Sequence, residues 1–233
     1  AEASVLDADD DLRGQLRLSA PLAFTPRYLA PLLARFAERH PQLRVDVQAD
    51  DRFVNLQEPR FDMALRMGRL DDSCLVARPI TANRHLLCAS PDYLARHGVP
   101  QHPEELQAHD GLVYYNREPG GMLCLPVDGE PASFRIRVRM RTDSGHQLLE
   151  GARAGLGLAI LPSFLAADAL LAGELLPVLP GYSPDGGQVS VVYRKTQRTP
   201  RKILVLGQFL EEEIGDPAPW DRALIERGLL PPG

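Results

Sequence analysis

An apolar strand that runs through a turn directly into an amphipathic helix is the feature that most constrains this fold. Residues 16–19 have strand character, and leucines followed by a phenylalanine then recur at helical spacing. Thr25 is expected to cap the helix by accepting a hydrogen bond from a first-turn N–H, and Pro26 suits the first helical position. Pro31 has no N–H to donate, so we expect a kink there, or a helix that properly starts there.

This junction places free backbone N–H groups at the carboxyl end of a strand. Open α/β sheets bind small ligands at such positions, and the ligands are often anions. The sequence therefore predicts a ligand site formed by Leu22, Ala23, Phe24 and Thr25. The alternative is an ordinary strand–helix connection in which Thr25 only caps the helix, and the motif taken alone does not choose between the two.

Composition and charge argue against several classes of function. The chain has 233 residues and a formal net charge of −5, with no block of lysine or arginine. Its most basic run, FRIRVRMR at 134–141, alternates arginine with apolar residues and predicts a strand with one solvated face, so we do not expect these residues to bind DNA. No apolar run has the length of a membrane span, and the acidic N-terminus lacks a signal-peptide core, so no membrane partner is expected.

Cysteine usage indicates a reducing compartment. Cys74, Cys88 and Cys124 are an odd number and form no CxxC pair. Cys88 lies in the apolar run HLLCAS and is interpreted as a small buried side chain, although the sequence does not decide whether any of the three senses redox state. If the first residues are the native start, the protein is cytoplasmic, and the alternatives are an excised domain or a mature exported form.

Motifs that carry catalysis are absent from the sequence. It contains no GxSxG elbow, HExxH pair or phosphate-binding loop, so we expect a protein that is not an enzyme and that needs no cofactor. No two of the six histidines stand at metal-ligand spacing, and no metal site is predicted. His146, in the first turn of a predicted helix, is the one histidine worth testing for a functional role.

Strands and helices are predicted to alternate along the chain, which is typical of an α/β fold with a mostly parallel sheet. The predicted strands span residues 16–19, 43–48, 62–66, 75–80, 85–89, 112–115, 134–140, 157–161, 175–179 and 188–193. The predicted helices are Arg27–His40, Val54–Glu58, Tyr93–Arg96, Pro103–Gln107, Gln147–Ala154, Ser163–Ala172 and Ile203–Ile214. Ser144 and Gln147 stand three residues apart and predict a capping box.

Two extended segments interrupt the alternation, LVARPI at 75–80 and LLPVLPGYS at 175–183. They suggest that the chain leaves one α/β domain, builds a second and returns. The first domain would comprise residues 12–78 plus 178–230, and the second residues 79–177. A chain with two such lobes is expected to bind ligands in the cleft between them.

With these elements placed, the chain resembles the effector-binding domain of LysR-type transcriptional regulators. The resemblance is carried by GQLRLSAP, FAERHPQLRVDV, RFDMALRMGRLDDSCLVARPI, RHLLCASPDYLARHGVP and GARAGLGLAILPSFLAADALL. It covers about residues 12–212, and its specificity comes from the ordered sum of these segments. Arg60 departs from the family pattern, which usually has glycine there.

The resemblance implies a bilobal α/β fold of the type II periplasmic-binding-protein kind, built from two doubly wound subdomains joined by two crossover strands. It also implies a small-molecule effector, a homodimer and, in the intact regulator, a tetramer. Residues 1–11 resemble the end of the linker helix. DNA would be bound only by a winged helix-turn-helix domain that precedes the linker and is missing here.

Three further effector-binding residues are predicted near the connections between the lobes. Arg66, just after a strand, could pair with a carboxylate, and the alternative is a structural ion pair with Asp62 or Asp71. Gly68 would permit a close backbone approach or a positive-φ turn. Asn83, in the first crossing, could bind the effector or simply form a turn.

The second lobe supplies two more predicted loops. Tyr115 and Asn116 offer an aromatic face and an amide, and the alternative is a loop with a half-buried tyrosine. Thr142, Asp143 and Ser144 precede a helix whose N–H groups form a second cluster of donors, although the charge of Asp143 disfavours an anion close by.

The function predicted from these features is that of a sensory and dimerising domain. It would bind a small organic effector, an organic acid being the class considered, and modulate transcription by the DNA-bound regulator. A solute-binding protein of a transporter is the alternative, and a small α/β enzyme is disfavoured because the sequence has no catalytic constellation.

Overall fold

The chain forms two compact α/β units. The computed structural model describes residues 12–50, 60–68, 75–115, 119–196 and 199–232. Unit 1 consists of the residues up to Ala82 together with Gln188–Asp216, and unit 2 consists of Asn83–Gly187 together with the residues from Pro217 onward. The chain therefore passes between the units three times, at 82/83, 187/188 and 216/217.

The elements are numbered in chain order within the described residues. The strands are β1 (Gly14–Ala20), β2 (Leu43–Ala49), β3 (Met63–Gly68), β4 (Leu75–Ala82), β5 (His85–Ala89), β6 (Asp110–Tyr114), β7 (Met122–Val127), β8 (Glu130–Arg135), β9 (Arg137–Thr142), β10 (Leu158–Pro162), β11 (Leu176–Pro177) and β12 (Gln188–Arg194). The α-helices are α1 (Ala30–Arg39), α2 (Pro91–His97), α3 (Gly145–Arg153), α4 (Ser163–Leu171), α5 (Arg201–Ile214) and α6 (Pro219–Glu226). One π-helical turn covers Thr25–Leu29, and 3₁₀ turns cover Pro103–Ala108, Pro119–Gly121 and Pro180–Tyr182.

Each unit is built on a five-stranded sheet. The strand order is β2-β1-β3-β12-β4 in unit 1 and β11-β5-β10-β6-β9 in unit 2, and β7 pairs with β8 in a separate hairpin. In unit 1, α1 and α5 pack together through Phe36 and Phe209, whose ring centroids are 5.3 Å apart. The core of unit 2 gathers side chains of α2, β6, β10 and the hairpin, among them Tyr93, Val113 and Leu125.

One strand in each sheet runs against the other four. In unit 1 it is β12, which is antiparallel to both β3 and β4, and in unit 2 it is β5, which is antiparallel to both β10 and β11. Both are the first strands that the chain forms after a crossing. Gln188 of β12 pairs with Gly68 at the end of β3, and His85 of β5 pairs with Pro162 at the end of β10. The chain thus enters each unit at the carboxyl edge of its sheet. The first strand that it forms there therefore runs antiparallel to its neighbours.

Four of five strands in each sheet share one direction, which confirms the prediction of a mostly parallel sheet. The exceptions are β12 and β5. The α/β class and the two units were also predicted correctly. The predicted helix Val54–Glu58 lies outside the described residues, as do residues 1–11. Among the helices that the structure describes, none is both long and apolar enough to cross a membrane.

The predicted limits of the two domains differ from the observed division. Residues 79–82 stay in unit 1 because they complete β4 beside β12. Residues 178–187 belong to unit 2, where the Val178 N–H donates to the Leu87 carbonyl over 2.8 Å. The predicted return to the first domain ends at Asp216, because α6 packs on α4 of unit 2 with Trp220 edge-on to Phe164 at 6.4 Å.

One local prediction was wrong, and two elements were not predicted. The predicted strand 134–140 is broken at Ile136, and its first part pairs with β7 as the hairpin strand β8. The hairpin itself was missed, although its turn is Asp128–Gly129, with φ of 51° and 85°. Helix α6 was missed as well.

The junction between β1 and α1 contains the π-helical turn. Pro31 cannot donate to the carbonyl one turn before it, and the Ala30 N–H instead bonds the carbonyl of Thr25, five residues back. The α-helix proper then starts at Ala30, with Pro31 in its first turn. Of the two predicted outcomes, a kink at Pro31 or a helix that starts there, the structure has the second. Pro26 occupies the first turn of the π-helix, where it removes no bond.

Candidate functional site

Unit 1 collects its candidate residues at the carboxyl edge of its sheet. Because β1, β2 and β3 are parallel, the turn after Ala20, the turn after Ala49 and the last residues of β3 meet at the same edge. The Asp50 N–H donates to the Ala20 carbonyl over 3.0 Å and ties the first two turns together. Thr25, Arg66 and Gly68 therefore belong to one region of the unit.

Thr25 does not cap the helix, which corrects the sequence prediction. It is the first residue inside the π-helical turn, and its N–H and hydroxyl both donate to the Pro21 carbonyl, over 3.1 Å and 2.7 Å. The N-cap position belongs to Phe24, which makes no side-chain capping bond. A serine or threonine hydroxyl that bonds the carbonyl one turn back is a common competitor of capping. The oxygen of Thr25 keeps its lone pairs, so it can still accept a bond from a ligand.

The other residues of this turn differ in what they offer. Phe24 is fully buried and stacks on Tyr28 with ring centroids 5.2 Å apart, so only its backbone can face a ligand. The side chain of Leu22 is half exposed, and Ala23 is partly buried between the two. A ligand at this turn would therefore contact backbone N–H groups and one apolar side chain.

Arg66 is a buried cation, with 8% of its surface exposed. Burial lowers the pKa of its guanidinium, and the negative charge of Asp50 opposes that shift. The predicted alternative, an ion pair with Asp62, is not found because Asp62 pairs with Arg17, whose Nη2 lies 3.1 Å from Oδ1. Asp71 lies outside the described residues.

Gly68 adopts φ of +113°, which only glycine reaches without strain, and a Cβ there would meet no atom within 4 Å. The space beside it is therefore open in the described structure. This agrees with the positive-φ turn predicted at this position.

Sequence reasoning missed two buried serines beside Arg66. Ser190 pairs with Arg66 across β12 and β3, and Ser19 pairs with Ala64, two residues before Arg66, so all three side chains lie on one face of the sheet. Ser19 is fully buried, and its Oγ has no hydrogen-bond partner among the described residues. The available signal was a serine within each mostly apolar strand, LRLSA and VSVVY. Asp50, whose negative charge opposes the lowering of the Arg66 pKa, was not predicted either.

Unit 2 places its candidate residues at the carboxyl edge of its own sheet. β6 and β9 are parallel, with Tyr114 opposite Thr142, and the Tyr115 N–H donates to the Thr142 carbonyl over 2.7 Å. Asn83 belongs to the same edge because β5 starts two residues later, opposite the end of β10. Tyr115, Thr142–Ser144 and Asn83 are thus brought together, whereas Asn116 lies outside the described residues.

The predicted capping box at α3 is wrong. Ser144 occupies the N-cap position with extended backbone, yet its side chain makes no capping bond. The hydroxyl of Thr142 donates to Oε1 of Gln147 and accepts the Ser144 N–H over 3.1 Å. Thr142 therefore engages the Gln147 side chain and the Ser144 N–H, the two groups that would bond each other in one half of the box. Asp143 beside it is exposed to solvent.

The Tyr115 side chain is exposed over 62% of its surface. It is therefore more accessible to a ligand than the half-buried tyrosine that was the predicted alternative. The guanidinium carbon of Arg141 lies 5.8 Å from the centre of its ring. A cation over the ring leaves the other face of Tyr115 free to stack on an apolar group.

Asn83 is a buried structural residue. Its Nδ2 donates to the Gly186 carbonyl over 2.9 Å, and its N–H donates to the Gly187 carbonyl over 2.9 Å. Its Oδ1 is buried without a partner among the described residues. Gly186 is required there, since a Cβ would lie 1.7 Å from the Asn83 carbonyl oxygen. Both predicted roles, a turn and an oxygen available to a ligand, remain compatible with this geometry.

Two further titratable candidates are Cys88 and His146. Burial raises the pKa of the Cys88 thiol to about 12, as suits a small core side chain. His146 is exposed in the first turn of α3. Within the described ranges, no group of three or more His, Cys, Asp or Glu side chains is placed to hold a metal ion.

Comparison with known proteins decides the family. The family model described as the LysR substrate binding domain matches residues 9–215. The chain belongs to the LysR family of transcriptional regulators. It is similar to the regulator CrgA of Neisseria meningitidis serogroup C, with 34% identity over 93% of this chain and 72% of CrgA. It is also 35% identical to an uncharacterised HTH-type transcriptional regulator of Haemophilus influenzae, over 87% of this chain and 70% of that protein.

Solved structures agree with this assignment. The regulatory domain of CrgA from Neisseria meningitidis matches with a TM-score of 0.74 and 32% identity, over 88% of this chain and all of that one. The full-length virulence activator AphB of Vibrio cholerae matches with a TM-score of 0.71 and 27% identity, over 85% of this chain and 68% of AphB. The chain is therefore a LysR effector-binding domain with the bilobal α/β fold of that family, and its relatives are regulators and not solute-binding proteins of transporters.

Proposed function

We propose that this domain senses a small organic acid and that Arg66 is the group in unit 1 that binds the acid. The observation that carries the proposal is the buried polar face of the sheet, where Arg66 lies beside Ser19 and Ser190. Burial lowers the pKa of this guanidinium although the charge of Asp50 opposes the shift, so a bound carboxylate would further stabilise the charged form. A carboxylate can pair with a guanidinium through two parallel hydrogen bonds.

The surroundings of Arg66 suit such a ligand. The Ser19 hydroxyl lacks a partner among the described residues and can donate to a carboxylate oxygen. Backbone N–H groups of the turn from Leu22 to Phe24 lie at the same edge of the sheet, before a helical N-terminus. The open space beside Gly68 allows a ligand to approach this edge.

Unit 2 carries a second candidate group with different chemistry. The exposed ring of Tyr115 can stack on an apolar or aromatic group, and the buried Oδ1 of Asn83 can accept a hydrogen bond. Asp143 disfavours a second anion beside Thr142 and Ser144. The chemistry of this group favours an uncharged ring or chain that carries a donor.

The wider role follows from the family. LysR-type regulators bind effectors, form oligomers and bind DNA. For this chain we propose a homodimer, a tetramer in the intact regulator, DNA binding through a winged helix-turn-helix domain before the linker, and a cytoplasmic location. We propose that it binds its effector without catalysing a reaction. The effector would shift a conformational equilibrium by the difference between its affinities for the two states.

Isothermal titration against matched pairs of carboxylic acids and their primary amides tests the assignment. Benzoate with benzamide and succinate with succinamide are suitable probes. Acids are expected to bind more tightly than their amides, and Arg66→Met is expected to weaken an acid by about tenfold or more, the value of one charge-assisted hydrogen bond. The matched control is Arg44→Met, since Arg44 is an exposed arginine of β2 that pairs with Asp46.

Two results would contradict the proposal. One is equal binding of acids and amides by the wild-type domain, and the other is an Arg66→Met variant that binds an acid as the wild type does. In the intact regulator, Thr25→Ala and Arg66→Ala are expected to reduce the transcriptional response to an acid that binds. An unaltered response in both variants would remove these residues from the site.

A further inference from the structure

The C-terminal residues after α5 are an integral part of unit 2. The family-model match ends at residue 215, just before the third crossing between the units. Beyond it, α6 packs on α4, and several side chains of this segment are almost fully buried: Ala218, Trp220, Asp221, Leu224 and Leu230. Burial on this scale is that of a core element and not of a loose tail.

This segment is bonded to the first crossing on the unit 2 side. Nη1 of Arg84 donates to the Pro231 carbonyl over 2.6 Å, and its Nε lies 3.8 Å from Oδ2 of Asp221. Asp221 is 1% exposed and lies in the first turn of α6, where the helix dipole favours a negative charge. The Arg84 carbonyl accepts the Ser163 N–H over 2.8 Å, which fixes the crossing to the start of α4.

The same segment is bonded to the first crossing on the unit 1 side. Oδ1 of Asp216 accepts the Thr81 hydroxyl over 3.0 Å and the Ala82 N–H over 3.5 Å. Thr81 is buried, whereas Asp216 is exposed. Residues 81, 82 and 84 are thus each held by a residue that follows α5.

We propose that residues 216–231 form a clasp that fixes the first crossing, residues 81–84, and so holds Asn83 in place. Asp216, Arg84 and Asp221 are its positioning residues. The Asp221 side chain is 1% exposed and that of Arg84 21%, so loss of Arg84 would leave a desolvated carboxylate without this cation. The clasp therefore depends on both Arg84 and Asp221. That Asn83 serves an effector rests on the proposed function, whereas the hold on the crossing does not.

Amide hydrogen exchange of the whole chain, resolved by NMR, tests the clasp without any ligand. The reporters are the N–H of Asn83, bonded to Gly187, and the N–H of Ser163, bonded to Arg84. Asp221→Asn and Arg84→Gln keep the shape of each side chain but remove its charge, and each is expected to speed exchange at both reporters about tenfold or more. Arg84→Lys, which retains the charge, is expected to restore most of the protection.

A matched control separates the clasp from general loosening of α6. Arg222 lies in the same helix beside Asp221, is exposed and bonds only the Pro217 carbonyl, over 3.2 Å, among the described residues. Arg222→Gln is expected to leave both reporters unchanged. Wild-type exchange rates in Asp221→Asn and Arg84→Gln would overturn the proposal, as would an equal effect of Arg222→Gln.

The unit 1 side has its own variant. Asp216→Ala removes the oxygen that accepts the Thr81 hydroxyl and the Ala82 N–H. The residue is exposed, so folding is not expected to be impaired, and exchange of the Ala82 N–H should be severalfold faster. Unchanged exchange at Ala82 would contradict the hold on that side. The exchange experiments use no ligand, so failure of acids to bind in the titrations would not change their result. The proposed function and the proposed clasp can therefore be refuted independently.

Discussion

Arg17 and Asp62 form an ion pair between β1 and the residue before β3, with Nη2 of Arg17 3.1 Å from Oδ1 of Asp62. The backbone N–H of Arg17 also donates to Oδ2 of the same carboxylate, over 2.8 Å. Asp62 stands four residues before Arg66 in the chain. Asp62 is engaged by Arg17, and the charge that opposes the burial shift of the Arg66 pKa is that of Asp50.

The first prediction concerns the acid stability that Asp62 provides. Burial raises the pKa of its carboxyl, but the hydrogen bonds from the Arg17 side chain and backbone outweigh burial, and the pKa is lowered from 3.8. A carboxyl whose pKa is lower in the folded state stabilises the fold above its unfolded pKa, and this contribution is lost as pH falls through the folded pKa. Asp62→Asn is expected to cost about 1 kcal/mol at pH 7, since the pair is partly exposed, and less at pH 3. Urea unfolding at both pH values measures this, with the exposed Asp128→Asn as the control.

The second prediction concerns the close approach at Gly186. A Cβ there would lie 1.7 Å from the Asn83 carbonyl oxygen and 2.1 Å from Nδ1 of His85, so the backbone must move. Gly186→Ala is expected to destabilise the domain by about 2–4 kcal/mol, the range of severe overpacking. Gly181→Ala is the control, because a Cβ at Gly181 meets no atom within 4 Å. Equal thermal midpoints for the two variants would refute the stated geometry.

The third prediction concerns thiol reactivity. Cys88 is fully buried with its pKa raised to about 12, whereas Cys124 is exposed on β7. The thiolate is the reactive form, so iodoacetamide at pH 8 is expected to label Cys124 in the folded protein and Cys88 only in urea. Peptide mapping by mass spectrometry reads each site separately. Labelling of Cys88 at the rate of Cys124 without urea would show that this part of the unit 2 sheet opens readily.

The fourth prediction concerns the pH dependence of unit 2 through His109. Its Nδ1 lies 3.2 Å from the Tyr93 hydroxyl, and burial, followed by the charge of His97, lowers its pKa from 6.5. Glu105 and Asp110 oppose this shift, and Arg137 adds to it. Below pH 6.5, His109 therefore binds a proton in the unfolded chain but not in the folded chain. The free energy of unfolding falls with pH until the folded pKa of His109 is reached.

His109→Asn tests this assignment, since the amide can take the place of Nδ1 beside Tyr93 but does not titrate. The variant is expected to flatten the stability curve between pH 6.5 and pH 5 in urea unfolding experiments. His102→Asn, which changes an exposed histidine near the start of the same 3₁₀ turn, serves as the control. A wild-type slope in His109→Asn would assign the pH dependence to other groups.

Local patterns predicted most of the elements because each depends on neighbours in the chain. The apolar period of α1, the Ser90–Pro91 start of α2 and the apolar run of β12 can all be recognised from neighbouring residues alone. The β7–β8 hairpin was legible too, since Asp128–Gly129 is a favoured two-residue turn. It was missed because residues 134–140 were predicted as one strand, whereas they comprise the end of β8 and the start of β9.

The candidate sites depend on contacts between distant segments, and here the sequence is less informative. Ser19 and Ser190 lie on one face with Arg66 only because three strands from separate parts of the chain become neighbours. Thr25 looked like a cap because capping residues are recognised by type, and its competing bond to the Pro21 carbonyl is visible only in the folded turn. Asn83 could not be assigned to Gly186, more than a hundred residues away, without the fold.

The reversed strands have a consequence for synthesis on the ribosome. β12 occupies the place between β3 and β4, so the centre of the unit 1 sheet cannot close until residue 194 has emerged. Unit 2 likewise waits for α6. Until then β3 and β4 carry unpaired edges, which are open to association with other nascent chains. Neither unit can mature as an N-terminal intermediate, and both are completed late, when nearly the whole domain has been translated.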